Sequence, residues 1–318
     1  EVGRTSLSNP SKCYPNEIGP DAFSFPNRCA RNRRTFRPTG AMLGLDAIVR
    51  DALLEDIGRG DATTEATVPE DARCKARLYA KQDGVLSGIN VFRNVFHQLN
   101  ASVTGWHAKK DGDRFRKGDD IALFEGNTRA VLSGERVALN FVQRLSGIAT
   151  LTAAFVGRVN GLNVRICDTR KTTPRLRELE KEAVRHGGGS NHRFALYDGI
   201  LIKENHITAA GGVSAAVQAA INRSHHLMSV GVEVTNLAEL DEAIAAGADV
   251  ALLDNMNDDQ MREAVTFVNG RDIVLEASGN ITLDRVRDVA ATGVNIISIG
   301  ALTHSAPAID LSRELATA

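Results

Sequence analysis

Charged side chains in the second half of the chain stand where short β-branched segments end. Arg170 and Lys171 follow the segment VRIC, Lys203 follows GILI, and Glu233 and Asp254 close the segments VGVE and VALLD. Arginine grips a carboxylate or phosphate through parallel hydrogen bonds, and lysine provides a compact positive charge. The basic members therefore predict a pocket for a small polyanion. The two acids could supply oxygen ligands to Mg²⁺ carried by a phosphorylated substrate, or they could hold sugar hydroxyls.

A glycine-rich segment, HGGGSNHR at residues 186–193, adds His192 and Arg193 to the basic set. It is not the phosphate loop of nucleotide hydrolases, because no Gly-Lys-Ser/Thr follows the glycines. Its two histidines could suggest a metal, but no third ligand lies nearby in the sequence. We interpret the segment as a flexible turn that lets the backbone approach a ligand and delivers His192 and Arg193 to it.

Two small turns near the end of the chain are rich in backbone N–H groups. Loops after the last strands of βα barrels often bind a phosphate in this way. The two turns therefore predict a second anion site, and the pair of anion sites suggests a phosphorylated sugar beside an anionic second substrate. The turns are Ser278-Gly279-Asn280 and Gly300-Ala301.

The elements that must position these residues alternate regularly after Gly161. Six short β-branched segments are separated by helical segments rich in alanine and glutamate, which predicts βα units on a parallel sheet. Six strands are fewer than the eight of a full barrel. We therefore predict an α/β fold with an open (incomplete) βα barrel, and a doubly wound sheet is the structural alternative. Comparable points lie 30, 21, 22 and 22 residues apart, at Lys203, Glu233, Asp254, Glu276 and Ser298.

The preceding hundred residues mix helices and strands, which predicts an amino-terminal α+β domain. LDAIVRDALLEDIG predicts a helix that stops at Gly58, and ARCKARLYAKQDGVLSG predicts a hairpin around Asp83-Gly84. A long helix is expected from Glu135. The predicted divisions are an extension at 1–40, the α+β domain at 41–145, the barrel at 146–311 and a tail at 312–318.

Composition excludes several classes of protein. The chain has 318 residues and 43% hydrophobic residues, with 38 Lys+Arg against 39 Asp+Glu. A net charge of −1 argues against a nucleic-acid partner. Since no apolar run approaches the ~18 residues that cross a bilayer, no membrane partner is expected. The four cysteines show no metal or disulfide spacing, so a reducing, cytoplasmic location is predicted, and Cys167 is interpreted as a buried core thiol rather than a nucleophile.

Residues 1–40 differ from the rest of the chain. They carry seven basic and three acidic residues, a balance of +4 that leaves −5 for the remainder, and the first methionine is Met42. Three interpretations compete for this segment: sequence upstream of the true start, an organelle transit peptide, or a functional basic arm. An organelle location replaces the cytoplasmic one if the transit-peptide interpretation holds.

Several motifs together resemble one family. ERVALNFVQRLSGIATLT, DTRKTTP, GGGSNHR with LYDGILIKENHI, VEVTN, ALLDNM and EASGNI follow one another in order, and EDIGRGDATTEA and KQDGVLSG precede them. This series, from about residue 44 to 311, resembles the decarboxylating quinolinate phosphoribosyltransferases. The resemblance implies transfer of phosphoribosyl from phosphoribosyl pyrophosphate to quinolinate with loss of CO₂, giving nicotinate mononucleotide for NAD synthesis. It also implies an open barrel, Mg²⁺, and a homodimer whose subunits share active sites, with a hexamer as the larger alternative.

The resemblance assigns roles residue by residue. Arg136 would come from the partner subunit to help bind quinolinate, and Glu233 and Asp254 would face the ribose and Mg²⁺, directly or through substrate oxygens. Lys171, Lys203, Glu233 and Asp254 form the catalytic set. The residues that would bind quinolinate are Thr169, Arg170, Lys171, His192, Arg193 and Lys203. The residues that would bind the 5-phosphate are Ser278, Gly279, Asn280, Gly300 and Ala301.

Two departures from the family pattern and three rival functions remain. Arg175 stands where a glycine commonly follows the TTP motif, which could alter the mouth of the pocket, and Thr235 stands where an acid is common. A paralogous phosphoribosyltransferase for another aromatic acid or base would lack part of the cationic set. A phosphate-binding barrel aldolase or isomerase would show a Schiff-base lysine in apolar surroundings or an isolated acid–base pair. An inactive scaffold would leave gaps in the charged ring.

Overall fold

The computed structural model describes residues 44–317, and the expectations for residues 1–40 lie outside this range. The first part of the described chain is an α+β unit, and its first helix ends at Gly58 as predicted. Its elements are α1 (Leu45–Ile57), α2 (Ala62–Thr67), β1 (Arg73–Ala80), β2 (Gly84–Val85), α3 (Ile89–Gln98), β3 (Thr104–Ala108), β4 (Arg114–Phe115) and β5 (Asp120–Asn127), with β12 (Leu311–Thr317) added from the end of the chain.

A four-stranded sheet in the order β12-β1-β5-β3 organises this unit. Every second residue of β1 is buried, because successive side chains of a strand point to opposite faces of the sheet. Helix α3 covers the buried face through Phe92 and Phe96, whose ring centroids lie 5.1 Å apart in an edge-to-face arrangement. Phe124 of β5 lies 5.1 Å from Phe96 and completes an aromatic core.

Two details of the sequence analysis are corrected in this unit. The hairpin around Asp83-Gly84 is wrong, because β1 pairs with β5 and β12 whereas β2 pairs with β4. The Asp83-Gly84 turn signal reports only on neighbouring residues, whereas the strands that pair with β1 lie far along the chain. Residues set aside as a tail form β12, in which Leu311 to Thr317 pair antiparallel with β1.

A long helix, α4 (Thr128–Arg158), connects the α+β unit to the barrel. It begins seven residues before the predicted Glu135, because the Asn127 side chain accepts a hydrogen bond from the N–H of Ala130 (3.1 Å) and caps the helix there. Its buried residues pack against α3 on one side and against the barrel on the other. The helix therefore serves both parts of the core.

The second part is the open βα barrel that the sequence predicted. Six strands, all parallel, follow the order β7-β8-β9-β10-β11-β6, so each strand from β7 to β10 pairs with the next strand of the chain, and β11 pairs with β6. The barrel is open between β6 and β7, whereas a doubly wound sheet would reverse its order in the middle. The strands are β6 (Arg165–Cys167), β7 (Ile200–Ile202), β8 (Val230–Val234), β9 (Val250–Asp254), β10 (Val274–Ser278) and β11 (Ile296–Ser298).

Helices cover the outside of this sheet, which explains why its central strands are apolar nearly throughout. Within residues 44–317, no helix combines the length and apolarity that crossing a membrane requires. The covering helices are α5 (Arg177–His186), α6 (Glu204–Ala210), α7 (Val213–Arg223), α8 (Leu237–Ala246), α9 (Asp258–Val268), α10 (Val286–Ala290) and α11 (Ala301–His304).

Candidate active site

A cleft of about 840 Å³ lies at the carboxyl ends of the barrel strands, where parallel βα folds place their sites. Strand register brings the acids together: Glu233 of β8 and Glu276 of β10 both stand opposite Leu252 of β9, and Asp254 stands opposite Ser278. All but one of the predicted site residues line this cleft. They are Thr169, Arg170, Lys171, His192, Arg193, Lys203, Glu233, Asp254, Ser278, Gly279, Asn280, Gly300 and Ala301.

The exception is Arg136, which lies on the exposed side of α4 and does not line the cleft of its own chain. Two further positions singled out by the sequence also lie outside the cleft. Arg175 forms an ion pair with Asp51 of α1 at 2.6 Å, and the N–H and hydroxyl of Thr235 donate to Glu239 in the first turn of α8. The two departures from the family pattern therefore have local structural partners.

A buried ion pair fixes the glycine-rich segment beneath the cleft. Asp168 at the end of β6 is 0% exposed and Lys181 of α5 is 1% exposed, and their Oδ1 and Nζ atoms are 2.5 Å apart. The same Oδ1 accepts the backbone N–H of His192 at 2.9 Å, and Nζ donates to the His192 carbonyl at 3.1 Å. Asn191 Nδ2 donates to Asp168 Oδ2 and to the Lys181 carbonyl. The backbone of residues 191–192 is thus held by groups that water does not reach.

His192 is held as a neutral imidazole. Its Nδ1 accepts the backbone N–H of Arg193 at 2.7 Å, which places the proton on Nε2. Burial, with the nearby charges of Lys181, Arg193, Lys203 and Arg170, lowers the pKa of His192 to about 4. The Arg193 guanidinium donates to the Gly199 carbonyl at 2.6 Å, and its Nε has no hydrogen-bond partner among the described residues. An unsatisfied buried N–H facing a cleft is available to an anionic ligand.

Paired charges line the opposite side of the cleft. Lys203 Nζ forms an ion pair with Glu233, and the Lys203 N–H donates to His206 Nδ1 at the start of α6. Asp254 accepts a hydrogen bond from Asn255 Nδ2 at 3.0 Å. Because Lys203 stands among charges, the apolar lysine of the aldolase hypothesis is not present at this position.

The two predicted phosphate turns also line the cleft. Gly279 has φ +94°, and a Cβ atom there would stand 2.2 Å from Asn255 Oδ1, so only glycine fits. Gly300 precedes the short helix α11, and a Cβ atom there would stand 3.0 Å from Lys171 Cδ and 3.1 Å from His304 Nε2. The turns leave backbone N–H groups beside the positive charge of Lys171, which suits a phosphate.

The loop that carries Arg170 and Lys171 is braced from outside the cleft. Arg144 of α4 donates to Glu180 (2.6 Å), to Thr173 Oγ1 (2.8 Å) and to the Thr303 carbonyl (2.9 Å). The buried Thr303 hydroxyl donates to the Lys171 carbonyl at 2.8 Å. The loop is therefore anchored to both α4 and α11, which fixes the positions of its basic side chains.

Some cleft residues were missed or given no role by sequence reasoning. Glu276 marks a point of the repeat in the sequence but received no role, and it lies two residues inside β10 on the floor of the cleft. A charged residue inside an otherwise apolar strand was the signal that could have found it. His304 comes from α11, and nothing in its local sequence indicates a site.

Cys167 is buried, as predicted, and burial raises the pKa of its thiol to about 12, which makes it inert.

Fold and cleft together define a class of protein. An open barrel that gathers basic side chains, two acids and two N–H-rich turns at one mouth is a site for two anionic substrates, one of them carrying phosphate. Comparison with known proteins agrees. Residues 61–146 match the family model described as "Quinolinate phosphoribosyl transferase, N-terminal domain", and residues 148–314 match "Quinolinate phosphoribosyl transferase, C-terminal domain".

Relatives cover most of the chain. A probable nicotinate-nucleotide pyrophosphorylase [carboxylating] of Bacillus subtilis is 46% identical over 273 residues, 86% of this chain and 94% of that protein. A chloroplastic protein of that name from Arabidopsis thaliana is 40% identical over 88% of this chain and 85% of its own length. The crystal structure of NadC from Streptococcus pyogenes matches with a TM-score of 0.84 and 42% identity, covering 88% of this chain and 99% of that one. The chain belongs to the quinolinate phosphoribosyltransferase family.

Proposed function

We propose that this single cleft carries out the whole reaction of the family. The enzyme is a pentosyltransferase that transfers phosphoribosyl from phosphoribosyl pyrophosphate to quinolinate with decarboxylation. The products are nicotinate mononucleotide, pyrophosphate and CO₂, and the reaction leads to NAD. The observation that carries this assignment is the group of basic side chains beside two acids in one cleft of a chain that matches both family domains.

Quinolinate is held by the basic side of the cleft. Arg170 and Arg193 bind its two carboxylates, since each has a buried Nε with no partner among the described residues. His192, Lys171, Lys203 and Thr169 also line this subsite. A monocarboxylate such as nicotinate would leave the buried Nε of one arginine without an acceptor, which accounts for the preference for the diacid.

Phosphoribosyl pyrophosphate lies across the acids and the turns. The turns at 278–280 and 300–301 hold the 5-phosphate, and Glu233 and Asp254 face the ribose. These two carboxylates fit Mg²⁺ only in company with substrate oxygens, because residues 44–317 contain no cluster of three or more metal-binding side chains. Bound Mg²⁺ would neutralise charge on the leaving pyrophosphate.

The geometry supports a stepwise mechanism. The pyridine nitrogen of quinolinate attacks the anomeric carbon while pyrophosphate leaves, and Glu233 and Asp254 stabilise the positive charge that develops on the ribose. Lys171 and Lys203 face the leaving group. The bond between C2 and its carboxylate then breaks and CO₂ leaves. The electron pair stays on C2, where the adjacent quaternary nitrogen stabilises it, until a proton from solvent adds to C2. Arg170 and Arg193 keep the ring oriented throughout.

The first experiment is direct. The protein is incubated with quinolinate, phosphoribosyl pyrophosphate and Mg²⁺, and CO₂ and the mononucleotide are measured. We expect both products in equal amounts, loss of turnover in EDTA and recovery with added Mg²⁺. Turnover of nicotinate as efficient as that of quinolinate would contradict the diacid subsite.

We further propose a homodimer in which Arg136 of one subunit completes the quinolinate subsite of the other. This role is supported by the exposed position of Arg136 on α4 and by the exposed apolar side chains of Leu196 and Tyr197 on the segment after Arg193. Larger assemblies, including a hexamer, would be built from such dimers. Mixing inactive Arg136→Ala and Lys203→Ala subunits should restore activity through one intact site per dimer, and no recovery would count against a shared site.

The proposed location is the cytoplasm. It is supported by the buried thiols of Cys74 and Cys167, which form no disulfide within residues 44–317. An organelle is the alternative if residues 1–40 are a transit peptide, and imaging the full chain against a form that starts at Met42 in the source cell distinguishes the two locations.

A further inference from the structure

Glu276 is a buried acid that the mechanism above does not use. It is 3% exposed, it lies on the floor of the cleft, and its Oε1 has no hydrogen-bond partner among the described residues. A buried carboxylate oxygen without a donor is costly in the free protein. Its position next to the quinolinate subsite therefore points to a partner that arrives with the substrate.

The groups around Glu276 are of both signs. His192 Nε2 lies 3.6 Å from Oε1, which is longer than a hydrogen bond. Because Nε2 carries the proton and His192 is neutral, this side of the imidazole brings no full charge to Glu276. The other ionisable or hydroxyl groups that face Glu276 come from the strands on both sides. They are Arg165 and Cys167 of β6, Glu233 of β8 and Ser298 of β11, and Asp254 of β9 lines the same cleft.

A dianionic substrate disfavours the ionised form of Glu276. Its carboxylates would lie in the same enclosed cleft as the Glu276 carboxylate, and like charges in a low-dielectric site repel strongly. One proton on the acid removes this repulsion and provides an O–H donor. Two carboxyl groups that share one proton form a short, strong hydrogen bond.

We propose that Glu276 is a substrate-binding residue that joins the complex as a neutral carboxylic acid and donates its O–H to a carboxylate of the bound diacid. Binding takes the proton from water, and product release returns it. The identity of the diacid as quinolinate rests on the proposed function. The cost of protonation is small at neutral pH, because burial raises the pKa of Glu276 to about 7, with Glu233 adding to the rise and Ser298 and Arg165 opposing it.

The proposal is tested by titrating quinolinate into the full-length protein at pH 8 in two buffers of different ionisation enthalpy. We expect uptake of close to one proton per site in the wild type and none in Glu276→Gln, whose amide still donates. Quinolinate binding by the wild type should weaken about tenfold for each pH unit above the Glu276 pKa, whereas binding by Glu276→Gln should not change with pH. The matched control Glu263→Gln, on the exposed face of α9, should behave as the wild type.

Two results would overturn the proposal: no proton uptake by the wild type, or uptake that persists in Glu276→Gln, which would assign the proton to His192. If Glu276→Gln does not fold, the proposal is tested by difference infrared spectra of the wild type with and without quinolinate. Binding of quinolinate should produce the band of a protonated carboxyl group, and absence of this band would refute the proposal. A wild type that makes nicotinate mononucleotide without taking up a proton on binding leaves the function intact and removes only this inference.

Discussion

The buried pair of Asp168 and Lys181 offers a sharp test of how the site is held. Replacing Lys181 by methionine keeps the length of the side chain and removes its charge. The Asp168 carboxylate then stays buried without its cation, and the His192 carbonyl loses a donor. We expect the free energy of unfolding to fall and quinolinate binding to weaken, because the Lys181 ammonium group both pairs with Asp168 and holds the His192 carbonyl.

The magnitude follows from the burial of the two partners. Each is at most 1% exposed, so solvent cannot replace the lost partner. Breaking such a pair costs about 3–5 kcal/mol of unfolding free energy. For a chain of this size, that loss lowers Tm by about 4–8 °C. Displacement of His192 should raise KM for quinolinate by about 10- to 100-fold and leave KM for phosphoribosyl pyrophosphate close to normal.

A double variant separates positioning from stability. Asp168→Leu combined with Lys181→Met replaces the pair by apolar side chains, which often restores stability. The N–H and carbonyl of His192 nevertheless remain without their anchors, so KM for quinolinate should stay high. The measurements are thermal or urea unfolding and steady-state kinetics with each substrate varied in turn.

The surface provides the control. Arg262 and Asp259 of α9 form a pair whose side chains are 52% and 94% exposed, so Arg262→Met should cost under about 1 kcal/mol and leave both KM values unchanged. A double variant that regains both stability and the wild-type KM would refute the positioning role. The network would then be purely structural.

Two further predictions concern backbone conformation. Gly279→Ala places a Cβ 2.2 Å from Asn255 Oδ1 at φ +94°, so KM for phosphoribosyl pyrophosphate should rise about tenfold or more in steady-state kinetics, while calorimetric quinolinate affinity stays unchanged. Arg175→Gly relieves a left-handed backbone at φ +68° and loses the exposed pair with Asp51, so urea unfolding should show a change within about 1 kcal/mol and kcat/KM should not move. A large loss of activity in Arg175→Gly would instead place this side chain in the working site.

The conformation of Arg175 also explains the family pattern noted in the sequence. The position needs a positive φ, which glycine adopts without strain and arginine adopts at a cost of about 1 kcal/mol. The ion pair with Asp51 of α1 holds the arginine in place. The departure is therefore accommodated by the backbone and a local partner, and the cleft lining is unaffected.

The sequence by itself determined the barrel and most of its site. The period of the βα units identifies six parallel strands, and polar residues at strand ends must meet at one edge of such a sheet. Arg170, Lys203, Glu233 and Asp254 could therefore be placed in one cleft from their positions in the repeat alone, and all four line it.

Tertiary structure decided the contacts that depend on distant partners. The ladder of β1 with β12 joins residues more than two hundred positions apart, and no turn signal marks such a pairing. The Asp168–Lys181 pair and the orphaned oxygen of Glu276 likewise depend on which groups the folded chain removes from water. Burial is a property of the whole packed chain, because the elements that shield a side chain from water are often distant from it in the sequence.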